Sequence, residues 1–312
     1  MNRIEGIELA VVVVNYNTRD LLRECLESVR EQGAGAVAEV WVVDNASQDG
    51  SAEMVRELFP EVRLIARTDN PGYGAAANQG IAACAAPSAL LLNSDTRLLP
   101  GAAAALARHL EENPRAGIIG PRLLNPDGTF QPSCFPFLTP LNLLALNTWL
   151  NRAARAIPGW RSRFLPTWKG TPSRAGHWVK GAALAIRRES FAAVGGFDED
   201  YFMYSEEVDL CWRALAAGWE VHYAPEACVV HVEGASTSQT RDAMTAQLFA
   251  SMELFYRRHY PPGALTRLRW VVVLILFERI ARDTIKFWRY PERRPRLSGD
   301  LLLWQRLLRE RL

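Results

Sequence analysis

The sequence predicts an α/β fold, a doubly wound sheet followed by a C-terminal helical extension. Two observations lead there. Over the first 112 residues, four short runs rich in Val, Ile or Leu alternate with four amphipathic stretches, the pattern of strands and crossover helices around a parallel sheet. Charge then divides the chain: residues 261–312 hold 12 Lys+Arg against 5 Asp+Glu, and residues 1–260 hold 24 against 29. A basic appendage thus follows a mildly acidic body. The expected division is a catalytic-sized domain over residues 1–240 and an extension over 241–312.

LAVVVV, Leu9 to Val14, is a continuous apolar run, as a strand covered on both faces requires. It ends at Asn15-Tyr16-Asn17. Thr18 then opens a helix with Leu21, Leu22, Cys25, Leu26 and Val29 on one face. The second strand is Val40 to Asp44, with a helix from about Gly50 to Phe59; the third is Val62 to Ala66, with a helix from about Tyr73 to Ala85; the fourth is Ala89 to Asn93, with a helix over roughly Gly101 to Glu112. Ligands of such sheets bind outside the carboxyl ends of the strands.

Residues 121–176 are irregular and rich in Pro, Trp and Leu, with a hairpin turn at Asp127-Gly128 and a short apolar helix from Leu141 to Leu150. Trp149, Trp160 and Trp168 are candidates for stacking on sugars or touching lipid headgroups, with burial as the ordinary alternative. YFMYSEEVDLCWR, Tyr201 to Arg213, predicts a helix capped by Ser205, its buried face carrying Val208, Cys211, Trp212 and Leu215. Helical projection puts Glu206 opposite that face, Glu207 at its edge, and Asp209 with Arg213 in a surface ion pair. A further helix reaches about His259. After Pro261-Pro262-Gly263, the apolar run Trp270 to Phe277 is far short of the roughly 20 residues that span a bilayer. Flanking Arg267, Arg269, Arg282, Arg289, Trp288 and Tyr290, with a second amphipathic piece from Leu301 to Leu312, suit helices lying on an anionic membrane surface. The alternative is a helical hairpin packed on its own domain or on a second copy, a possible homodimer. Basic residues interleaved with bulky apolar ones argue against nucleic acid. Five scattered cysteines without CxxC spacing and a polar start, Met1 to Glu8, predict a cytoplasmic protein.

Polar residues at the strand ends are the candidate site. Asp44 can accept from a base imide or a ribose hydroxyl; the competing reading is an Asx turn, a task that Asp49 and Ser51 can already perform. Asn70 to Gly80 joins a strand to a helix through small residues, so a ligand can approach the backbone. Its glycines follow the third strand and lack the spacing of a dinucleotide fingerprint, which counts against a nicotinamide or flavin dehydrogenase. Asn93-Ser94-Asp95 suits a hard divalent cation that keeps water and phosphate as its other ligands, or else a turn. His231 ends the apolar run Ala227 to Val230 as either a structural residue or a ligand.

ELAVVVVNYNT, VVDNASQDGS, DNPGYGAAANQG, LLLNSDT, GGFDEDYFMYSEEVDLCWR and VVHVEGAST occur in the order and approximate spacing of family 2 glycosyltransferases. Over residues 7–240 the chain resembles the rhamnosyltransferase-type enzymes of bacterial cell-surface polysaccharide synthesis. The resemblance implies a GT-A fold, a mixed sheet, transfer of a sugar from a nucleoside diphosphate donor with inversion, and a divalent metal, Mn²⁺ or Mg²⁺. By position, Asp44 contacts the nucleoside, Asn78 belongs to the donor segment, Asp95 binds metal, Glu207 is the catalytic base, and His231 is a further metal or diphosphate ligand. Asn15, Asn17, Asn70, Gly72 and Asn93 fall on the donor side; Lys180, Gly181 and Glu206 fall on the acceptor or diphosphate side.

Three departures stand out. Glu206-Glu207 replaces the usual Glu-Asp, so the base is one methylene longer. Asn93 replaces an Asp, and Lys180 brings a cation where relatives often have Ser. The NPDGTFQPS segment favours dTDP-rhamnose as donor. The implied acceptor is a polyprenyl-linked sugar or polysaccharide, and the implied location is the inner face of the cell membrane, with the protein peripheral to it. The competing functions are an inactive nucleotide-binding scaffold of this fold and a nucleotidyltransferase.

Overall fold

The computed structural model describes residues 8–33, 35–137, 139–148, 177–232 and 241–287. The three tryptophans at 149, 160 and 168, residues 288–290 and the piece from Leu301 to Leu312 lie outside that set. The chain divides into two compact units, Met1–Pro136 with Thr167–Gln239, and Phe137–Pro166 with Thr240–Leu312.

The first unit is built on β1 (Leu9–Asn15), β2 (Val37–Asp44), β3 (Arg63–Ala66) and β4 (Ser88–Asn93), with helices α1 (Arg19–Gln32), α2 (Ser51–Leu58) and α3 (Tyr73–Ala83) between them. These four strands are parallel, in the order β3-β2-β1-β4. Every residue of β1 is buried, as its unbroken apolar sequence requires. Helix α1 turns Leu22, Cys25, Leu26 and Val29 into the core. The register sets Asn15 beside Asp44 on one side, and Val14 beside Asn93 on the other, so three strand ends meet at one edge.

Beyond β4 the sheet changes direction. Strand β5 (Thr96–Leu98) and helix α4 (Ala102–Glu112) lead to β6 (Ala116–Leu124) and the hairpin strand β7 (Phe130–Gln131), which turns at Gly128 with φ +79°. A two-stranded ribbon of β8 (Cys134–Pro136) and β9 (His177–Val179) precedes β10 (Ala183–Arg187), which runs antiparallel between β4 and β6. After α6 (Arg188–Ala193) and α7 (Glu206–Ala216), the long β11 (Glu220–His231) pairs parallel with β6 and antiparallel with β5. The sheet of the described residues is therefore mixed. The β5 pairing sets His231 opposite Thr96, next to Asp95 in the chain.

The start of α7 corrects three expectations. Ser205 makes no side-chain cap bond and has φ +66°, following Tyr204 at φ +67°. Glu206 is only 5% exposed, although projection had set it toward solvent. Asp209 is 1% exposed, so its pair with Arg213 (Nε to Oδ2, 2.6 Å) is part-buried and not on the surface, and Arg213 also donates to the Val194 carbonyl. Projection of a lone helix cannot see what packs on its outer side. Here α7 packs against β6, β9, β11 and α6, and Tyr73 N holds the segment before it by donating to Phe202 O at 3.0 Å.

In the second unit, α5 (Pro140–Asn147), α8 (Arg241–His259) and α9 (Ala264–Phe287) pack on one another. Arg269 of α9 forms a two-armed ion pair with Glu253 of α8 at 2.8 and 3.1 Å, and Phe255 stacks on Phe137. Among the described residues no helix is long and apolar enough to cross a membrane.

Candidate active site

At the edge formed by β1 and β2, polar side chains satisfy one another. Asn15 donates to Asp44 Oδ1 at 2.7 Å and to Ser47 Oγ at 3.1 Å, and accepts from Thr18 Oγ1 at 2.7 Å. Asp44 also closes an Asx turn, taking the Ser47 amide on Oδ2 at 3.0 Å and the Ser47 hydroxyl on Oδ1 at 2.6 Å. The turn was the competing reading, and it does not exhaust the carboxylate. A carboxylate has about four acceptor positions, so Oδ2 keeps one for a further donor. Asn17, with φ +52°, accepts from the Gln48 amide at 2.7 Å. Asn70 accepts from Gly72 N at 3.1 Å, and Asn45 donates to Gly72 O at 3.2 Å, so the glycine loop is held at both of its backbone groups.

Gly72 has to be glycine. Its φ is +104°, and a Cβ there would lie 2.3 Å from the Phe202 carbonyl oxygen. Asn78, implied as a donor-segment residue, spends its amide inside the protein. Its Nδ2 donates to Phe197 O and Glu199 Oε1, both at 2.9 Å, and its Oδ1 accepts from Phe197 N at 2.8 Å. It thereby anchors the loop that enters α7.

A second group lies where β4 ends and β11 returns. Asp95 and His231 are buried, with His231 Nε2 at 3.5 Å from Asp95 Oδ1. Gln131 Oε1 takes His231 Nδ1 at 2.6 Å, and the Gln131 amide is oriented by Asn125 Oδ1 at 2.9 Å. This fixes the ring so that Nε2 is turned to the carboxylate. Asn93 Oδ1 is buried without a hydrogen-bond partner among the described residues. An imidazole nitrogen, a carboxylate and an unused amide oxygen fit Mn²⁺ better than Mg²⁺, because imidazole is the softer donor. No cluster of three His, Cys, Asp or Glu side chains suited to a metal occurs among the described residues, so such an ion would depend on water and substrate oxygens.

The third group is the acidic turn of α7. Glu207 accepts the backbone N–H of Gly181, delivered by the loop after β9, as well as amides of its own first turn. A Cβ on Gly181 would stand 3.4 Å from Glu207 Cβ and 3.7 Å from its Cδ, so the glycine lies flat along this side chain. Burial raises the Glu207 pKa, while these amides and the Lys180 ammonium pull it back. Glu206 is raised well above the ordinary value, first by burial and then by the charge of Glu207. Burial thus raises both of these adjacent carboxyls, and only Glu207 has the Gly181 amide and the Lys180 ammonium opposing the rise. Lys180 Nζ reaches Gln131 Oε1 at 3.5 Å, between this group and His231.

Tyr73, Ser47 and Gln131 were not anticipated. The Tyr73 hydroxyl donates to the Gly181 carbonyl at 3.0 Å, and it is pushed to a high pKa by burial and by the charges of Glu206, Glu207 and Asp95. One buried side chain therefore feels both the acidic turn and the Asp95 group, which makes them neighbours. Backbone strain clusters here as well. Asn17, Ala46, Tyr204 and Ser205 have φ between +52° and +67°, and each flanks one of these groups.

Residues 10–141 match the profile described as glycosyl transferase family 2, and residues 141–307 match glycosyl transferase family group 2. The chain is 32% identical, over 85% of its length and 89% of the relative's, to N-acetylglucosaminyl-diphospho-decaprenol L-rhamnosyltransferase of Mycobacterium tuberculosis. The chain belongs to the family 2 glycosyltransferases. The fold of this glycosyltransferase is that of the mannosyltransferase PcManGT from Pyrobaculum calidifontis, solved with GDP-Man and Mn²⁺ (TM-score 0.57, 17% identity, 97% of this chain and 86% of that one). It is also similar to GalNAc-T7, solved with UDP, GalNAc and Mn²⁺ (TM-score 0.55, 17% identity, 81% of this chain and 50% of that one). The GT-A fold expected from the sequence is thereby established, and the three side-chain groups are its candidate active site.

Proposed function

We propose that this glycosyltransferase moves rhamnose from dTDP-rhamnose to a polyprenyl-diphosphate-linked sugar, with inversion, at the cytoplasmic face of the membrane. The carrying observation is the placement of Glu207 beside Glu206, accepting the Gly181 amide and facing the Lys180 charge, with Tyr73 close to both this turn and Asp95. The donor sugar and the lipid-linked acceptor are supported by the name of the mycobacterial relative and its 32% identity.

In this reading Asp44 orients the nucleoside through its remaining acceptor position. An acceptor hydroxyl at Glu207 gives up its proton to the carboxylate as its oxygen attacks the anomeric carbon. The bond from that carbon to the diphosphate oxygen breaks, and its electron pair leaves with the diphosphate. Asp95, His231 and the Asn93 amide oxygen would hold Mn²⁺, whose charge would stabilise the leaving diphosphate. Lys180 adds a positive charge that opposes the rise in the Glu207 pKa. The Glu207 side chain lies along Gly181 at ordinary contact distance.

The test is Glu207→Gln, assayed for nucleoside diphosphate release and for donor binding by calorimetry. Transfer lost by about 10²-fold or more with donor binding intact supports the base. Unchanged transfer removes Glu207 from that role, and a wild type that binds donor without turnover on any lipid-linked acceptor supports the scaffold. Release of pyrophosphate in place of nucleoside diphosphate would mark a nucleotidyltransferase.

A further inference from the structure

We propose that the outer face of α9 is a docking surface for anionic phospholipid. The helix has two apolar sides. Its inner side buries Ala264, Leu268, Val272, Ile275 and Leu276, and Arg269 turns inward to Glu253. That side is accounted for by packing within its own unit. The outer side carries Trp270, Leu274 and Phe277, which are 56%, 50% and 60% exposed. Their spacing of four and three residues sets them in one line along the helix. A surface helix of a water-soluble domain has polar residues there, so something other than water is the natural partner of this line.

Charge and size decide which partner. Exposed Arg267 lies one turn before Trp270 on the same side, so the apolar line begins at a cation, and exposed Arg282 follows beyond Phe277, about 140° further round the helix. Residues 261–312 as a whole carry 12 Lys+Arg against 5 Asp+Glu. An aromatic and aliphatic stripe headed by an arginine, on a segment this basic, matches a lipid surface, where acyl chains receive the first and phosphate headgroups the cations. No helix of the described residues is long and apolar enough to span a bilayer, so α9 would lie in the surface plane. A second copy fits less well. Three side chains fall far below the roughly 800 Å² per partner of a stable interface, and a second copy would bring the same excess of basic residues.

The proposal takes its motive from the lipid-linked acceptor reading, but the experiment reads vesicle binding and not transfer. The full chain is floated with phosphatidylcholine vesicles and with vesicles containing phosphatidylglycerol. The wild type should float with the anionic vesicles. The triple variant Trp270→Ser, Leu274→Ser, Phe277→Ser should lose about tenfold or more of that binding, and Arg267→Glu with Arg282→Glu should abolish the preference for anionic lipid. Unaltered thermal unfolding is expected of both variants, and the arginine pair keeps the test decisive if the triple variant misfolds. Equal flotation of all three proteins overturns the proposal, as does a wild type that stays unbound. So does a dimer, seen by light scattering, that the triple variant dissolves. Lost flotation with undiminished transfer to a short-chain soluble acceptor leaves the proposed reaction standing; lost transfer with normal flotation does the reverse.

Discussion

His231 turns Nε2 toward Asp95 Oδ1 at 3.5 Å because Gln131 holds the opposite ring nitrogen at 2.6 Å. The strand pairing alone would bring the histidine to this corner, but Gln131 decides which nitrogen faces the carboxylate. If the pair holds a metal, Gln131 sets its affinity from one shell out. Gln131→Leu should weaken Mn²⁺ binding by about 10–100-fold, and His231→Ala should weaken it further. The measurement is the rise in unfolding temperature that Mn²⁺ produces with a nucleoside diphosphate present. An undiminished rise in His231→Ala would rule the site out.

The Glu207 carboxyl has its pKa raised from the ordinary 4.5, chiefly by burial, and the Lys180 charge opposes that shift. A base must be ionised, so kcat/KM should rise with pH along an acid limb above 4.5. Lys180→Met removes the opposing charge, and the limb should move to higher pH. A limb unmoved in Lys180→Met would show that the ammonium does not act on Glu207.

The Glu206 carboxyl has its pKa raised well above the ordinary 4.5 by burial and by the charge of Glu207, while the same carboxyl in the unfolded chain ionises near its ordinary value. Between those two values the folded state binds more protons, so stability must fall as pH rises through that window. Below the ordinary value the contribution is fully present. Glu206→Gln keeps the neutral shape and should flatten the decline of unfolding temperature with rising pH. An unchanged slope would mean that Glu206 is ionised in the fold.

At Gly72 a methyl group would meet the Phe202 carbonyl at 2.3 Å, in a backbone conformation that only glycine adopts freely. Gly72→Ala should cost on the order of 2 kcal/mol or more. It should also lower transfer, because the Tyr73 N to Phe202 O bond joins this loop to the segment before Glu206. Chemical denaturation and kcat, measured on the same preparation, test both effects. Alanine at full stability would contradict the close approach.

Much of this enzyme can be read directly from its residues. The unbroken β-branched run of β1, the alternation through β4 and the six ordered motifs lead to the sheet, the family and the strand ends where polar residues collect. Asp44, Asp95 and Glu207 are legible because each follows an apolar run or opens an amphipathic one. Asn78 shows what position in a motif does not tell, the partners of the side chain. Its motif is in place, yet its amide is engaged with Phe197 and Glu199 inside the protein.

What sequence determined by itself was local: which stretches are strands and helices, and which residues terminate them, since both follow from the spacing of apolar side chains. Tertiary structure alone decided the environment of those residues. Glu206 and Asp209 look solvent-facing on an isolated helix and are buried once α7 packs against β6, β9, β11 and α6. Gln131 and Tyr73 gain meaning only when the β7 hairpin and the α3 turn bring them to His231 and Gly181, from 100 and 108 residues away. Burial and long-range hydrogen bonds depend on which elements meet, and no periodicity within one element carries that information.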